Sequence, residues 1–236
     1  AFVKTLSDMT FKPSLLLFSF VGVAGLALFL NSTHFFKGSD PTTPEKEAAM
    51  MRALLQGLTR HFQPKELDDN FSKDVYGYYL KEMDSGKRFF TQSDIDQLKP
   101  FEKQLDDQAK AGIFGFFDLS VLLLDKALTK TQGYYREALA KPLDFSKNES
   151  LESDGKKMKW AKDDAELRDR WYKWMKYEVI SRIVDEQVKQ NKPDYKGEKK
   201  TFEQLEADTR KKVLDIYDKW YKRLQKSDRL RRLELY

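Results

Sequence analysis

Residues 70–95, NFSKDVYGYYLKEMDSGKRFFTQSDI, hold two helix patterns separated by a turn so short that the chain must double back on itself. Phe71, Val75, Tyr78, Tyr79 and Met83 recur at helical spacing and predict one apolar face. Asp84-Ser85-Gly86 stops that helix, with Gly86 available for a positive φ in its C-terminal turn. Thr91 opens the next helix: its hydroxyl is placed to accept from an orphan amide while Asp94 reaches back. Phe89 and Phe90 lie just outside this cap, placed to staple the turn against the helix body. A helical hairpin commits the chain to helix-on-helix packing and by itself implies no chemistry.

The helical period continues on both sides of the hairpin. A first helix is predicted from about residue 45 to about 62, with Met50, Leu54, Leu55 and Leu58 as its stripe and Gln63-Pro64 as its end. The helix opened by Thr91 carries Ile95, Leu98, Leu105 and Ala109. Pro100 lies inside it and should kink or divide it, since continuing through a proline costs about 3 kcal/mol. After a break at Ala111-Gly112, residues 113–140 form the longest apolar-rich pattern, with Phe114, Phe117, Val121, Leu124, Leu128 and Tyr135. Leu122 and Leu123 widen its face and place it near the middle of a bundle.

Residues 141–164 have no period and read as a loop, tethered by Leu143, Phe145 and Trp160. Asp163 and Asp164 give an acidic first turn to a helix carrying Leu167, Trp171, Trp174, Met175, Ile180, Ile183, Val184 and Val188. Beyond a loop at 191–197, Thr201-Phe202-Glu203-Gln204 is a capping box. It opens a last helix through Leu205, Val213, Ile216, Tyr217, Trp220 and Leu224. There is no alternating strand pattern and no internal repeat. The fold class is therefore all-α, a bundle of about six or seven helices.

Residues 14–30, SLLLFSFVGVAGLALFL, lie apart from this bundle as 17 positions without a charge, apolar on every face. Lys4 and Lys12 precede the run, and Lys37 is balanced by Asp40 after it, so the positive-inside tendency keeps the N-terminus in the cytoplasm. A signal-peptide cut near Ala24 or Ala27 would fall inside the apolar run, which favours an uncleaved anchor. The expected organisation is a cytoplasmic stub at 1–13, a transmembrane signal anchor at 14–31, a linker at 32–44 and a helical domain at 45–236. The bulk of the chain would then lie outside the cytoplasm.

Hydrophobic residues at 40% are ample for a core and exclude wholesale disorder. The chain has no cysteine, which excludes disulfides, thiolate metal sites and a cysteine nucleophile, and leaves the redox compartment open. The formal net charge of +5 is carried wholly by residues 196–236, ending in Arg229, Arg231 and Arg232.

Candidate sites are few. His34 and His61 have no partner at metal-ligand spacing. Gly112 and Gly115 lack the strand-turn-helix context and the Lys-Ser/Thr of a phosphate loop. Asp68-Asp69, Asp106-Asp107 and Asp163-Asp164 are adjacent in sequence, so on a helix they point apart and form no acid/base pair. Trp171, Tyr172, Trp174 and Tyr177 with Lys173 and Lys176 offer a stacking surface, but their spacing fits packing better. The tail from Arg229 to Arg232 would suit nucleic acid or anionic lipid, although Glu203, Glu206, Asp208, Asp215 and Asp218 make the preceding helix a mixed-charge, solvated face. No catalytic, cofactor-binding or metal-ligating residue is assigned, and no cofactor is expected.

Tyr79-Leu80, Met83-Asp84, Lys87, Phe89-Phe90 and Asp94 resemble the N-terminal helical domain of the tail-specific (carboxy-terminal processing) proteases. The likeness continues through Lys141-Pro142-Leu143-Asp144-Phe145, Trp160 and Ala165-Glu166-Leu167 to Trp171, and ends around Tyr221-Lys222-Arg223-Leu224. It covers roughly residues 50–236. The resemblance implies the helical support of a periplasmic serine protease, held at a bacterial inner membrane through residues 14–31 and offering a surface to an adaptor or partner protein. In that family a serine nucleophile and lysine base belong to a protease domain beyond an intervening PDZ domain. Nothing in 1–236 matches the sequence around either, so protein substrates would be met by domains outside this chain. A competing expectation is a non-enzymatic scaffold subunit of a membrane complex. Nucleic acid would become a partner only with the opposite topology. The sequence assigns no oligomeric state.

Overall fold

The computed structural model describes residues 43–60, 66–227, 229–234 and 236, which belong to one packed unit. Helices begin where a side chain can take up orphan amides. Helix α1 (Pro44–Thr59) starts at Thr43, whose hydroxyl accepts from the Lys46 N–H at 3.3 Å. Helix α2 (Asp69–Met83) is capped by the Asp68 carboxylate, which accepts from the Asn70 and Phe71 amides at 3.0 and 2.9 Å. At α3 (Gln92–Leu98) the Thr91 amide and hydroxyl both donate to Asp94 at 2.8 Å. Pro100 ends that helix in a 3₁₀ turn (Lys99–Phe101) and separates it from α4 (Leu105–Ala111). Helix α5 (Gly115–Leu139) and the loop after it lead to α6 (Asp164–Gln190), capped by Asp163 on the Glu166 amide at 2.8 Å. In α7 (Phe202–Gln225) Thr201 and Gln204 cap each other at 2.9 and 3.3 Å. A short α8 (Arg229–Leu233) closes the described chain.

Among the described residues the only β pairing is an isolated bridge between Thr91 and Ala161, so the all-α expectation holds. No described helix is long and apolar enough to cross a membrane, and residues 14–31, with His34 and most of the linker, lie outside the described residues. His61 lies outside them too.

Helices α5, α6 and α7 pack on one another as the centre, with α3 also against α5, and α4 packs on both α1 and α2. Tyr135, Trp171, Tyr217 and Tyr221 meet at the middle, with Tyr135 and Tyr221 ring centres 4.8 Å apart. Their polar tips are satisfied: Tyr135 donates to Asp218 at 2.7 Å, Tyr221 to Thr131 at 2.8 Å, and Trp174 Nε1 to the Tyr217 hydroxyl at 2.7 Å. Burial pushes the phenols of Tyr79 and Tyr135 up to about 12, so both stay neutral at any ordinary pH.

Several faces are rotated from the sequence expectation. The buried side of α2 is Ser72, Tyr76, Tyr79, Leu80 and Met83, while Tyr78 is 60% exposed. The cause is polar: Ser72 Oγ donates to the Asp106 carboxylate at 2.6 Å and accepts the Asp106 N–H at 2.9 Å. On α1, Met50 and Leu54 are exposed because the buried position is Glu47, 2% exposed, which accepts from Arg229 at 2.7 and 2.8 Å. Ile216 and Val188, read as core, are likewise exposed. Gly86 does not carry the positive φ of the hairpin turn; Lys87 does, at 46°. Gly112 ends α4 at φ 69°, where an added Cβ would stand 3.0 Å from that of Ala48.

Ser72 gives a direct test of the α2–α4 joint. Burial raises the Asp106 carboxyl, but the hydrogen bonds from Lys110 and Ser72 outweigh it and hold the group below its ordinary range. A depressed carboxyl contributes stability that is complete above the ordinary carboxylate range and is lost as pH falls through it. Ser72→Ala should therefore cost about 1–3 kcal/mol in urea melts at neutral pH. The deficit should shrink when the melts are repeated below about pH 4. An equal deficit at both pH values would show that the Asp106 charge is not what Ser72 supports.

Candidate functional site

The residues that carried the sequence resemblance converge on one joint. Asp84 ends α2, and its buried carboxylate accepts the amides of Arg88, Phe89 and Phe90 at 2.7, 2.9 and 3.0 Å. Those bonds turn the chain sharply and drive Phe89 and Phe90 inward. Phe89 packs on Trp171, Trp220 and Tyr221, and Phe90 on Trp160. Burial pushes the Asp84 carboxyl up, opposed by the three amides and by the Arg88 charge.

Lys87, in its left-handed conformation, sends its ammonium across to the carbonyls of Gly155, at 2.9 Å, and Met158. The loop of residues 140–163 is thereby drawn over the hairpin. It comes so close that a Cβ on Gly155 would overlap the Ser85 carbonyl oxygen, which is why glycine stands there. Leu143, buried, anchors the other end of this loop by donating its amide to Glu206 at 3.1 Å.

Between this loop, the turn and the first turns of α6 lies a groove of about 360 Å³, its open mouth included. Leu167, Trp171 and Trp174 form the floor, and Leu151, Ser153 and Met158 form the loop wall. Lys87, Arg88 and Arg170 bring three cations to it against Glu152. Arg170 is engaged with the Glu166 carboxylate and with the Lys159 carbonyl at 2.8 Å. Arg88 is held differently. Trp171 Nε1 donates to its backbone carbonyl at 2.7 Å, and its guanidinium lies over the Trp174 ring 3.7 Å from the centre.

The groove can bind, but it is not arranged for acyl chemistry. Ser153 and Lys87 share it, yet the Lys87 ammonium is spent on two carbonyls, and among the described residues no hydrogen bond joins it to a serine. Asp68 and Asp163 serve as helix caps, and Asp106 is buried against Ser72. Gly115 starts α5, and Trp171 and Trp174 are core residues, as their spacing indicated. No group of His, Asp and Glu suited to a metal ion occurs among the described residues. The basic tail is folded back rather than presented: Arg229 pairs with Glu47 and Asp118, and Arg232 with Asp125. Arg88, Leu151 and Met158 were not singled out by sequence, whereas Lys87, Leu167, Trp171 and Trp174 of the same lining were.

Comparison with known proteins gives the same neighbourhood a family. The family described as "Tail specific protease N-terminal domain" matches residues 50–235. A curated tail-specific protease of Haemophilus influenzae is 27% identical over 151 residues, covering 61% of this chain. This chain spans 22% of that relative's length.

Proposed function

This chain belongs to the tail-specific protease N-terminal domain family, and from that premise we propose that it is the non-catalytic, membrane-anchoring and partner-binding portion of such a protease. The observation that carries this reading is the match across residues 50–235, which among the described residues takes in α2 to α8 whole and most of α1. In this reading the serine/lysine chemistry and the binding of substrate tails reside in sequence outside 1–236. Residues 14–31 hold the protein at the bacterial inner membrane, and 45–236 face the periplasm. The uncharged run with Lys4 and Lys12 ahead of it supports that orientation. The helical part supports the protease and presents a surface to an adaptor.

Residues 1–236 contain no cysteine, which makes the topology of this chain simple to test. Ser150→Cys places one thiol on the exposed loop. A membrane-impermeant maleimide should label it in intact spheroplasts as fully as in lysed ones. Labelling only after lysis would overturn the periplasmic assignment. The denatured mass of the native gene product tests the other half. A mass well beyond that of residues 1–236 supports a protease, whereas a mass equal to it favours a free-standing scaffold subunit.

A further inference from the structure

We propose that the groove over Trp174 is a docking site for an internal acidic peptide segment of a partner protein, in which a carboxylate side chain neighbours a large apolar one. This deepens the partner-binding role proposed above, but its test depends neither on membrane topology nor on any protease chemistry.

Charge decides the occupant. Of the three cations lining the groove, Lys87 is spent on the carbonyls of Gly155 and Met158, and Arg170 on Glu166 and the Lys159 carbonyl. Arg88 alone keeps its donors: among the described residues its side chain makes no hydrogen bond and has no carboxylate within ion-pair distance. Asp84, whose carboxyl feels the Arg88 charge, is buried and already accepts three backbone amides. Stacking on Trp174 restrains the guanidinium and removes part of its freedom, and Arg88 lines the groove. A planar, pre-positioned guanidinium fits a carboxylate in two-point contact, and little further ordering is needed on binding.

The remaining surface decides what must accompany the carboxylate. Leu151 and Met158, both half-buried on the loop, set apolar surface beside Arg88 at the mouth of the groove, over the buried Leu167 and Trp174. Met158 is a side chain that adapts its shape to what it meets. Glu152 is the single anion on the lining. A cationic peptide would meet a net positive surface, and a purely apolar one would leave Arg88 covered without a partner.

The probe is a fluorescein-labelled, C-terminally amidated hexapeptide alternating Glu with Leu and Phe, titrated by fluorescence anisotropy into the full chain in detergent micelles. Arg88→Gln should weaken binding by about tenfold, the scale of one charge-assisted pair. Ser153→Glu, on the exposed loop wall, adds a carboxylate before Arg88 without disturbing the core and should weaken binding at least as much. Both variants should keep the wild-type melting temperature within a few degrees. A Lys-for-Glu peptide, and a Glu-only peptide lacking Leu and Phe, should each bind more weakly than the probe. Equal binding by wild type and Ser153→Glu would overturn the site. Equal binding of the Glu-only peptide would overturn its apolar half. Binding confined to the non-amidated peptide would replace the internal segment with a chain end and overturn the proposed occupant.

Discussion

Asp84→Ala should lower the unfolding free energy by roughly 3–5 kcal/mol, a large share of the about 5–15 kcal/mol that an ordinary domain has. The side chain is 4% exposed and accepts the amides of Arg88, Phe89 and Phe90 together. Truncation leaves those donors in a space too apolar to rehydrate them well, since Phe89 and Phe90 line it. Asp84→Asn separates hydrogen bonding from bulk. One amide oxygen can keep the Phe89 and Phe90 bonds, but the NH₂ group faces the Arg88 N–H, donor against donor. The expected loss is intermediate, about 1–3 kcal/mol. Urea denaturation followed by far-UV circular dichroism gives both numbers. Should Asp84→Ala cost less than about 1 kcal/mol, the carboxylate would not be what holds the hairpin turn.

The contrast between what could and could not be read from the sequence reflects the range of the forces involved. Helix starts at Thr91, Asp163 and Thr201, and the division at Pro100, are set within four residues, and the structure has them where the sequence put them. Helix faces are set by tertiary partners. The stripe on α1 turned because Glu47 meets Arg229, 182 positions away, and that on α2 turned because Ser72 meets Asp106, 34 positions away. An apolar-periodicity argument cannot anticipate a buried glutamate or serine, since it scores both as surface. The groove was legible only in part. Its turn announced itself through Asp84, Lys87 and Phe89-Phe90. Its wall is a loop without period, brought across by Lys87 to carbonyls 68 and 71 positions on. Arg88 carries no sequence signal at all: it is an ordinary charged residue until Trp174, a helix away, supplies the ring beneath it.

The same distinction bears on the α6 face, where two residues alike in sequence should behave oppositely. Trp171 and Val188 both fell in the apolar set of this helix, but Trp171 is 2% exposed and Val188 59%. Trp171 touches Phe89, Tyr135, Tyr217 and Tyr221, so it links the hairpin turn to α5 and α7, and its indole N–H closes the Arg88 carbonyl. Trp171→Ala therefore removes a ring shared by three helices and orphans a backbone acceptor, at an expected cost of about 3–5 kcal/mol. Val188→Ala should change stability by no more than about 0.5 kcal/mol. Trp171→Phe keeps most of the ring contacts but loses the N–H, and should fall near 1–3 kcal/mol. Because the Arg88 carbonyl is what that N–H holds, Trp171→Phe should also loosen Arg88 from Trp174. The acidic peptide should then bind more weakly to a protein that is still folded. A Trp171→Phe variant with wild-type affinity would mean that Arg88 is positioned by the Asp84 turn alone. A Trp171→Ala variant no less stable than Val188→Ala would show that the centre of the bundle lies on another face of α6.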